Sequence, residues 1–289
     1  MERSRQRRAL SSRSGSAGEA GHAGAEALDS AAMAALVRDG HRHFLQELMA
    51  CGIVERSAAR RLHRRCCELQ KVHYAHDKLD DFIDVINVNL QPLFMEIRKG
   101  ISEDDGKTYY ALVNLAETEI TKMASDYSEN ELELFKKTID LIIASENGFA
   151  SSTNILNLAD QLRPKKMKKK EAEQVLQSLV QDKWLSEKDG EYTLHTRSII
   201  EMEQFLLNRY QDLARKCHIC RSLAVQSQVC EDCGIGMHLP CVAKFFRGQT
   251  EPRCPQCKQF WPHEIPEINQ PESQMPTRRG ASSSDTRRR

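Results

Sequence analysis

The sequence predicts a mainly α-helical protein with small β-hairpins, in which one structural unit occurs twice and a small cysteine-rich module follows. Apolar residues recur at helical spacing through most of residues 33–214, which indicates amphipathic helices. Two Asp-Gly turn signals, at 105–106 and 189–190, each stand between short apolar runs of strand type. Seven of the ten cysteines then fall between Cys217 and Cys257, which sets this last segment apart from the helical body.

The charge balance excludes two classes of protein. The 289 residues include 42 Lys and Arg against 41 Asp and Glu, a formal net charge of +1. A globally basic nucleic-acid coat and an acidic disordered chain are both far from this balance, so any nucleic-acid contact must come from a local patch. No apolar run approaches the roughly 20 residues of a membrane span, and no signal peptide is evident. We therefore expect an intracellular protein without membrane contact, in which structural disulfides are rare.

Residues 33–121 predict a first winged helix, a fold in which three helices are followed by a β-hairpin. Before it, residues 1–32 lack large apolar side chains and predict a disordered basic arm. Gly52 closes the first helix, Ser57 caps the second and Pro92 ends the third. The predicted elements are helices over 33–51, 57–69 and 77–90 and strands over 93–97 and 109–113.

Residues 122–214 repeat this order and predict a second winged helix that ends in a linker helix. Ser128 and Glu131 form a capping box at its start. Segments 101–106 and 185–190 both read apolar-Ser-Glu-x-Asp-Gly, so we interpret them as hairpins of one type in tandem winged helices. The alternative is that so short a match arose by chance. The predicted elements are helices over 128–143, 152–162 and 171–181, strands from 184 and 192, and the linker helix over 199–213.

Residues 215–266 contain the strongest chemical signal in the sequence, which is a series of cysteine and histidine residues at the spacing of metal ligands. Residues 267–289 predict a flexible tail. Each Cys-x2-Cys pair can present two sulfurs to one ion. Eight ligands fill two tetrahedral sites and leave no open position for a catalytic water, so we predict two structural Zn2+ ions. So small a segment with few aliphatic residues must take much of its folding free energy from metal binding. The predicted ligands are Cys217, Cys220, Cys230, Cys233, His238, Cys241, Cys254 and Cys257.

This spacing resembles the cross-brace zinc modules of the RING and PHD families. The resemblance implies that the first and third ligand pairs share one ion and that the second and fourth pairs share the other. A sequential arrangement of the pairs is the alternative. A PHD finger normally has Trp two residues before the seventh ligand, where this chain has Pro252, and no set of loop aromatics forms a methyl-lysine cage. We therefore favour a variant RING, although the histidine in fifth place also occurs in PHD fingers.

The RING interpretation predicts an apolar contact surface for a ubiquitin-conjugating enzyme. Ile219 precedes the second ligand, where RING domains expose an apolar residue, and Pro255 follows the seventh ligand as in many of them. Phe245 and Phe246 lie between the sixth and seventh ligands and could complete the groove, or they could pack the small core. Lys258 stands where such ligases often carry Arg, and it lacks the planar fork of that residue. We therefore expect any ligase activity to depend on a partner.

The cysteines outside the module offer no nucleophile by this interpretation. Cys51, Cys66 and Cys67 lie on predicted helices, and we interpret them as core or surface residues. A ligase of this type would act by holding the conjugating enzyme and its ubiquitin thioester in a reactive pose.

A basic run precedes and enters the third helix of the second winged helix. In DNA-binding winged helices this helix enters the major groove, so the run predicts possible phosphate contacts. A solvated helix start or a protein interface is the alternative, and the acidic wings around 103–105 and 187–191 do not favour a grip on phosphate. The candidate DNA contacts are Lys165, Lys166, Lys168, Lys169 and Lys170.

Five segments together resemble the family of the non-structural maintenance of chromosomes element 1. The resemblance covers about residues 34–266, and its segments are 101–106, 110–116, 148–158, 237–244 and 261–266. It implies a subunit of the structural-maintenance-of-chromosomes five–six complex, bound through its winged helices to a MAGE-type partner and lying near a kleisin subunit. It implies partner-stimulated ubiquitin ligase activity in the nucleus, on chromosomes, in repair of DNA double-strand breaks by homologous recombination. The alternative is a non-catalytic assembly subunit whose zinc module is structural.

Overall fold

The computed structural model describes residues 38–116, 127–163, 165–211 and 213–267. The predicted basic arm, the start of the first predicted helix and the predicted tail after residue 267 lie outside the described residues. The chain divides into two compact units. Of the described residues, the first unit comprises 38–51, Ser57–Ile97 and Asn114–Ala116, and the second comprises Gly52–Arg56, Arg98–Val113 and those from 127 onward.

The first unit is built from three helices: α1 (Asp39–Cys51), α2 (Arg56–Leu69) and α3 (Leu79–Leu90). Each helix buries one apolar stripe, and α1 packs against α3 through an edge-on contact of Phe44 with Phe82, whose ring centroids are 5.4 Å apart. Asn87 anchors the strand that follows, because its side-chain amide donates to the Ile97 carbonyl (3.0 Å) and accepts from the Ile97 N–H (2.7 Å). The core residues of these helices are Phe44, Leu48, Ala59, Cys66, Leu79, Ile83, Ile86 and Leu90.

The strands of the first winged helix differ in two respects from those predicted. A short strand, β1 (Ile53–Glu55), lies between α1 and α2, and it pairs antiparallel with β3 (Thr108–Asn114) in a sheet of order β1-β3-β2. Strand β2 spans Met95–Ile101 rather than 93–97. Strand β2 cannot begin earlier, because a 3-10 turn ends at Leu93 and because Phe94 adopts a left-handed backbone with φ 54°.

The second winged helix repeats this order of elements. The sheet has the order β4-β6-β5, which matches the order of the first sheet element for element, so the tandem winged-helix prediction is confirmed. The predicted capping box is present, since Ser128 Oγ accepts from the Glu131 N–H and the Glu131 carboxylate accepts from the Ser128 N–H. The elements are α4 (Glu129–Ala144), β4 (Ala150–Ser151), α5 (Ser152–Leu158), α6 (Lys169–Gln181), β5 (Leu185–Lys188) and β6 (Glu191–Leu194).

The two matched turn segments fold differently, so the prediction of two hairpins of one type was wrong. In the second, Asp189 and Gly190 both have positive φ (53° and 80°), which gives a two-residue hairpin turn of type I′. In the first, only Gly106 has positive φ, and the Ser102 hydroxyl accepts from the backbone N–H of Asp104 and Asp105. The Ser102 hydroxyl thus organises a wider loop, in which the Glu103 side chain is buried.

Helix α7 (Thr196–Arg209) begins three residues earlier than the predicted linker helix because a histidine caps it. The His195 Nδ1 accepts from the Arg197 N–H at 3.0 Å. Burial, with contributions from the charges of Lys183 and Arg197, lowers the pKa of His195 to about 4. Within the described ranges, no helix combines the length and apolarity that crossing a membrane requires.

We expect this cap to make stability depend on pH. The folded pKa of His195 lies below the ordinary value of 6.5, so the unfolded chain binds more protons between these values and stability falls as pH drops from about 6.5 to 4. After allowance for the partial exposure of the ring, the loss is on the order of 1–2 kcal/mol. His195→Asn keeps an N-cap acceptor that does not titrate. Urea unfolding at pH 7.5 and pH 5 should therefore show a smaller difference for this variant, and an equal difference would contradict the assignment.

Candidate metal centre

The cysteine-rich module is a set of short strands and one helix that hold three turns of the same kind. Each Cys-x2-Cys turn is closed by a backbone hydrogen bond to its first cysteine, from the residue that follows its second cysteine. That residue has a left-handed backbone in all three turns: Arg221 (φ 67°), Gly234 (φ 74°) and Lys258 (φ 64°). The module's elements are β7 (Arg215–Lys216), β8 (Leu223–Ala224), β9 (Gln228–Val229), β10 (Gly236–Met237) and α8 (Leu239–Phe245).

The eight predicted ligands form two groups of four, named here the first and second metal sites. In each group the four potential ligand atoms lie within 4.8 Å of one another. This grouping joins the first ligand pair with the third and the second with the fourth, so the cross-brace arrangement is confirmed and the sequential one is excluded. The first metal site contains Cys217, Cys220, His238 and Cys241, and the second contains Cys230, Cys233, Cys254 and Cys257.

The distances fit a tetrahedral ion with sulfur and imidazole ligands. A zinc ion with sulfurs at about 2.3 Å places them about 3.8 Å apart. In the second metal site the Sγ atoms of Cys230 and Cys257 are 3.7 Å apart, and those of Cys233 and Cys254 are 3.6 Å apart. These separations are far longer than a disulfide bond, and no disulfide joins any of the described cysteines. Each site could therefore hold one metal ion, and its ligand set is consistent with zinc.

The sulfurs and the imidazole of the first metal site already favour a cation. His238 turns Nδ1 toward Sγ of Cys220 (3.3 Å) and Cys241 (3.9 Å). Burial lowers the pKa of His238, but hydrogen bonds to Cys217, Cys220 and the Glu103 carboxylate outweigh it and raise that pKa to about 12. Hydrogen bonds with Cys220 and Cys241 lower the pKa of the Cys217 thiol far below its ordinary value. The site without a metal therefore favours positive charge beside its sulfurs, and a bound ion would supply that charge once the His238 Nδ1 has lost its proton.

At one sulfur of the second metal site, that of Cys254, backbone donors favour the thiolate. Burial raises the pKa of Cys254, but the N–H groups of Cys257 and Gln256 outweigh it and bring that pKa to about 7. These donors belong to the turn itself, so the backbone that shapes the site also stabilises the ligand in its ionised form.

One residue of the site was not predicted from the sequence. Glu103, from the loop between β2 and β3, is only 3% exposed and accepts a hydrogen bond from His238 Nε2 at 2.9 Å. From the sequence alone, Glu103 is interpreted only as one of the acidic wing residues that do not favour a grip on phosphate. No local signal marks it, because Glu187 at the matching place in the second repeat is exposed and accepts from the Gly190 N–H of its own turn.

Of the five predicted conjugating-enzyme contacts, three are exposed, one is partly buried and one is buried. Ile219 is 39% exposed beside the first metal site, and Phe245 is 37% exposed at the end of α8. Pro255 is partly buried and Lys258 is exposed. The prediction for Phe246 was wrong, because its ring is 2% exposed and packs on Trp261 in the module's core. The alternative, in which one of the two phenylalanines fills the core, is the correct one.

The basic run lies on the surface at the start of α6. All five lysines are exposed, and the intervening Met167 is 3% exposed and anchors the segment to the core. The Lys169 ammonium donates to the Asn157 side chain at 3.2 Å. Contact of these lysines with DNA stays a prediction.

Two winged helices followed by a module with two cross-braced Cys/His clusters define a tandem winged-helix protein that ends in a RING-like domain. Comparison with known proteins agrees with this division into a helical body and a RING-like module. The family described as the Nse1 non-SMC component of the SMC5-6 complex matches residues 41–202, and a RING-like domain matches residues 217–257. The chain belongs to the Nse1 family.

The relatives of this chain resemble it over most of their length. The non-structural maintenance of chromosomes element 1 homolog of Xenopus laevis is 62% identical over 245 residues, which are 85% of this chain and 91% of that protein. The Homo sapiens homolog is 57% identical over 239 residues, which are 83% and 90% of the two chains. A chain in a solved structure of an Nse1-Nse3-Nse4 complex is 63% identical, with a TM-score of 0.75, and the match covers 80% of this chain and 99% of that one.

Proposed function

We propose that this chain is a RING-type ubiquitin-protein ligase subunit of an SMC5-6 complex, with one structural Zn2+ in each metal site. The observation that carries the proposal is the exposed Ile219 beside a closed four-ligand site, where RING domains contact the conjugating enzyme. When bound, zinc fixes the turns that hold this surface in shape. The chain's own part in the reaction is to bind the conjugating enzyme and orient its ubiquitin thioester.

Two of the three cysteines outside the module are unsuited to carry a ubiquitin intermediate. Cys66 and Cys67 are buried in α2, and burial raises the pKa of Cys66 to about 11. A protonated, inaccessible thiol is a poor nucleophile. In this proposal the seven cysteines and one histidine of the module serve as ligands, and the reactive thiolate is the one that the conjugating enzyme brings.

We propose that an Nse3 subunit of MAGE type and an Nse4 kleisin subunit are the partners, and that the chain acts on chromosomes in the nucleus, in homologous-recombination repair. Its relative in the solved structure is part of an Nse1-Nse3-Nse4 complex. The first unit exposes large apolar side chains that a partner would cover, among them Leu69 (67%) and Leu93 (63%). Such exposure supports a role for the winged helix in assembly.

We expect Ile219→Ala to lower ubiquitin transfer by about tenfold or more, because apolar anchors at the centre of an interface carry much of its binding energy. The measurement is transfer in a purified system with the MAGE-type partner and a panel of conjugating enzymes. Leu213→Ala removes an aliphatic side chain of 54% exposure from outside the module and should leave the rate unchanged. Zinc content of two ions in every sample excludes unfolding of the module as the cause.

The alternative is an assembly subunit whose module is structural, and one contact favours it. The Lys258 ammonium donates to the Pro255 carbonyl at 2.8 Å, so the group expected to bridge conjugating enzyme and ubiquitin is engaged within its own turn. No transfer across the whole panel, with the partner bound and both zinc ions present, would establish this alternative. Transfer that Ile219→Ala does not change would also contradict the proposed contact surface.

A further inference from the structure

The most unusual buried group outside the predicted ligands is the carboxylate of Glu103. It lies in the loop between β2 and β3, far from the module in sequence, and is 3% exposed. Carboxylates are rarely buried to this degree unless they are paired, because removing one from water is costly. Among the ion pairs of the described residues, the one Glu103 makes is with His238. Its burial therefore requires an explanation within the metal module.

The contacts of Glu103 all lead to the module. Oε1 accepts from the Val225 N–H at 2.8 Å, and Oε2 accepts from the Gln226 N–H at 3.0 Å. Oε1 also lies 2.9 Å from His238 Nε2. The carboxylate thus bridges the ring of a predicted ligand and the backbone of the segment that follows β8.

The orientation of the His238 ring determines which of its nitrogens faces the metal site and which one faces Glu103. Its Nδ1 faces the cysteine sulfurs of the first metal site, so Nε2 is the nitrogen that points away from the metal and carries the proton. The Nε2–H has two acceptors, the Glu103 carboxylate and the Leu223 carbonyl, each at 2.9 Å. A histidine ligand whose other nitrogen donates to a carboxylate is held in one tautomer and one ring orientation.

A second contact shows that the loop is closely fitted to the same site. Gly106, at the end of the Glu103 loop, lies against Pro240 in the first turn of α8, two residues after His238. A Cβ on Gly106 would stand 2.8 Å from the Pro240 Cβ, closer than carbon atoms approach. The backbone of the loop therefore approaches this closely only with glycine at 106, which also has a positive φ of 66°.

We propose that Glu103 is the positioning residue of the first metal site, and that the wing of the first winged helix is a functional part of the zinc module. By accepting the Nε2–H of His238, Glu103 aims Nδ1 at the ion and stabilises the ring's metal-bound form. The same carboxylate holds the Val225 and Gln226 amides, so the ligand and the wing are fixed together. This inference rests on the proposed occupancy of the site by zinc.

The structure offers a matched control in the second repeat. Glu187 occupies the same place in the apolar-Ser-Glu-x-Asp-Gly pattern, but it is exposed and accepts from the Gly190 N–H of its own turn at 2.8 Å. Glu103→Gln and Glu187→Gln therefore make the same chemical change in the same sequence context. Glutamine keeps one acceptor oxygen and nearly the same volume, so Glu103→Gln is the variant least prone to unfold the chain.

The test is zinc release from the full chain to a chromogenic chelator, followed over time in the parent and both variants. We expect the parent to release two ions, and Glu103→Gln to release one of the two about 10–100-fold faster while the other keeps the parent rate. Glu187→Gln should match the parent. Amide exchange should show lost protection at Val225 and Gln226, and the 15N shifts of the His238 ring should show a loosened tautomer in Glu103→Gln alone.

Three results would overturn the inference. Parent rates for both ions in Glu103→Gln would remove its positioning role, and equal acceleration of both ions would reduce it to general packing support. Unchanged His238 15N shifts would show that the carboxylate does not fix the ring. A parent chain that binds no zinc would instead contradict the proposed function, so the two failures are distinct.

Discussion

Removal of zinc is expected to unfold the module of residues 215–267 while both winged helices remain folded. The module's core is small and made largely of ligand cysteines with Met237, Val242, Phe246 and Trp261. The cores of the winged helices contain no ligand, although Leu223 of the module packs into the core of the second one. Structural zinc contributes about 10–16 kcal/mol of apparent binding free energy in comparable small domains, far more than this core can replace. Amide exchange before and after treatment with a strong chelator measures the effect residue by residue.

A pair of cysteine substitutions distinguishes the loss of a metal ligand from the loss of a thiol elsewhere in the chain. Cys230→Ser removes a buried ligand of the second metal site and should abolish zinc binding there and protection of the module. Cys51→Ser changes an exposed cysteine at the end of α1 and should do neither. A module that keeps its amide protection after zinc is shown to be gone would contradict a folding role for the metal. In that case neither metal site would be needed to keep the module folded.

The elements that sequence predicts well are those with a local cause. The capping box at Ser128 and the type I′ turn at Asp189 depend on side chains within three residues, and both are present. Six of the eight predicted ligands are recognisable because the Cys-x2-Cys turn imposes a fixed spacing, and His238 and Cys241 repeat that spacing. Their partition into two sites needed the resemblance to cross-brace modules, since spacing alone also allows a sequential arrangement.

The features that sequence did not predict depend on distant residues. Strands β1 and β4 have three and two residues, too few for a period of two, and each exists because it pairs with a strand that comes much later in the chain. Glu103 and Glu187 have the same local pattern and opposite burial. Only the module that covers Glu103 distinguishes them, and no short-range rule contains that information.

Trp261→Ala is expected to destabilise the module by about 3–5 kcal/mol, the usual cost of truncating a large buried aromatic side chain. Trp261 is fully buried, its ring packs on Phe246 with centroids 5.5 Å apart, and its indole N–H donates to the Gln228 side chain at 3.0 Å. The substitution therefore leaves a cavity and an unpaired amide oxygen in a very small core. The module should lose amide protection and release both zinc ions more readily.

Phe260→Ala is the matched control, because it removes an aromatic side chain from the neighbouring position with 62% exposure. Its effect on stability should stay within about 0.5 kcal/mol, as for most surface substitutions. Chelator titrations of both variants, read by amide exchange in the module, compare the two directly. If Trp261→Ala and Phe260→Ala shift the titration equally, zinc alone holds the module together. A shift confined to Trp261→Ala shows that the buried ring and the metal sites stabilise one another, because the same β9 strand that binds the indole precedes the Cys230 ligand.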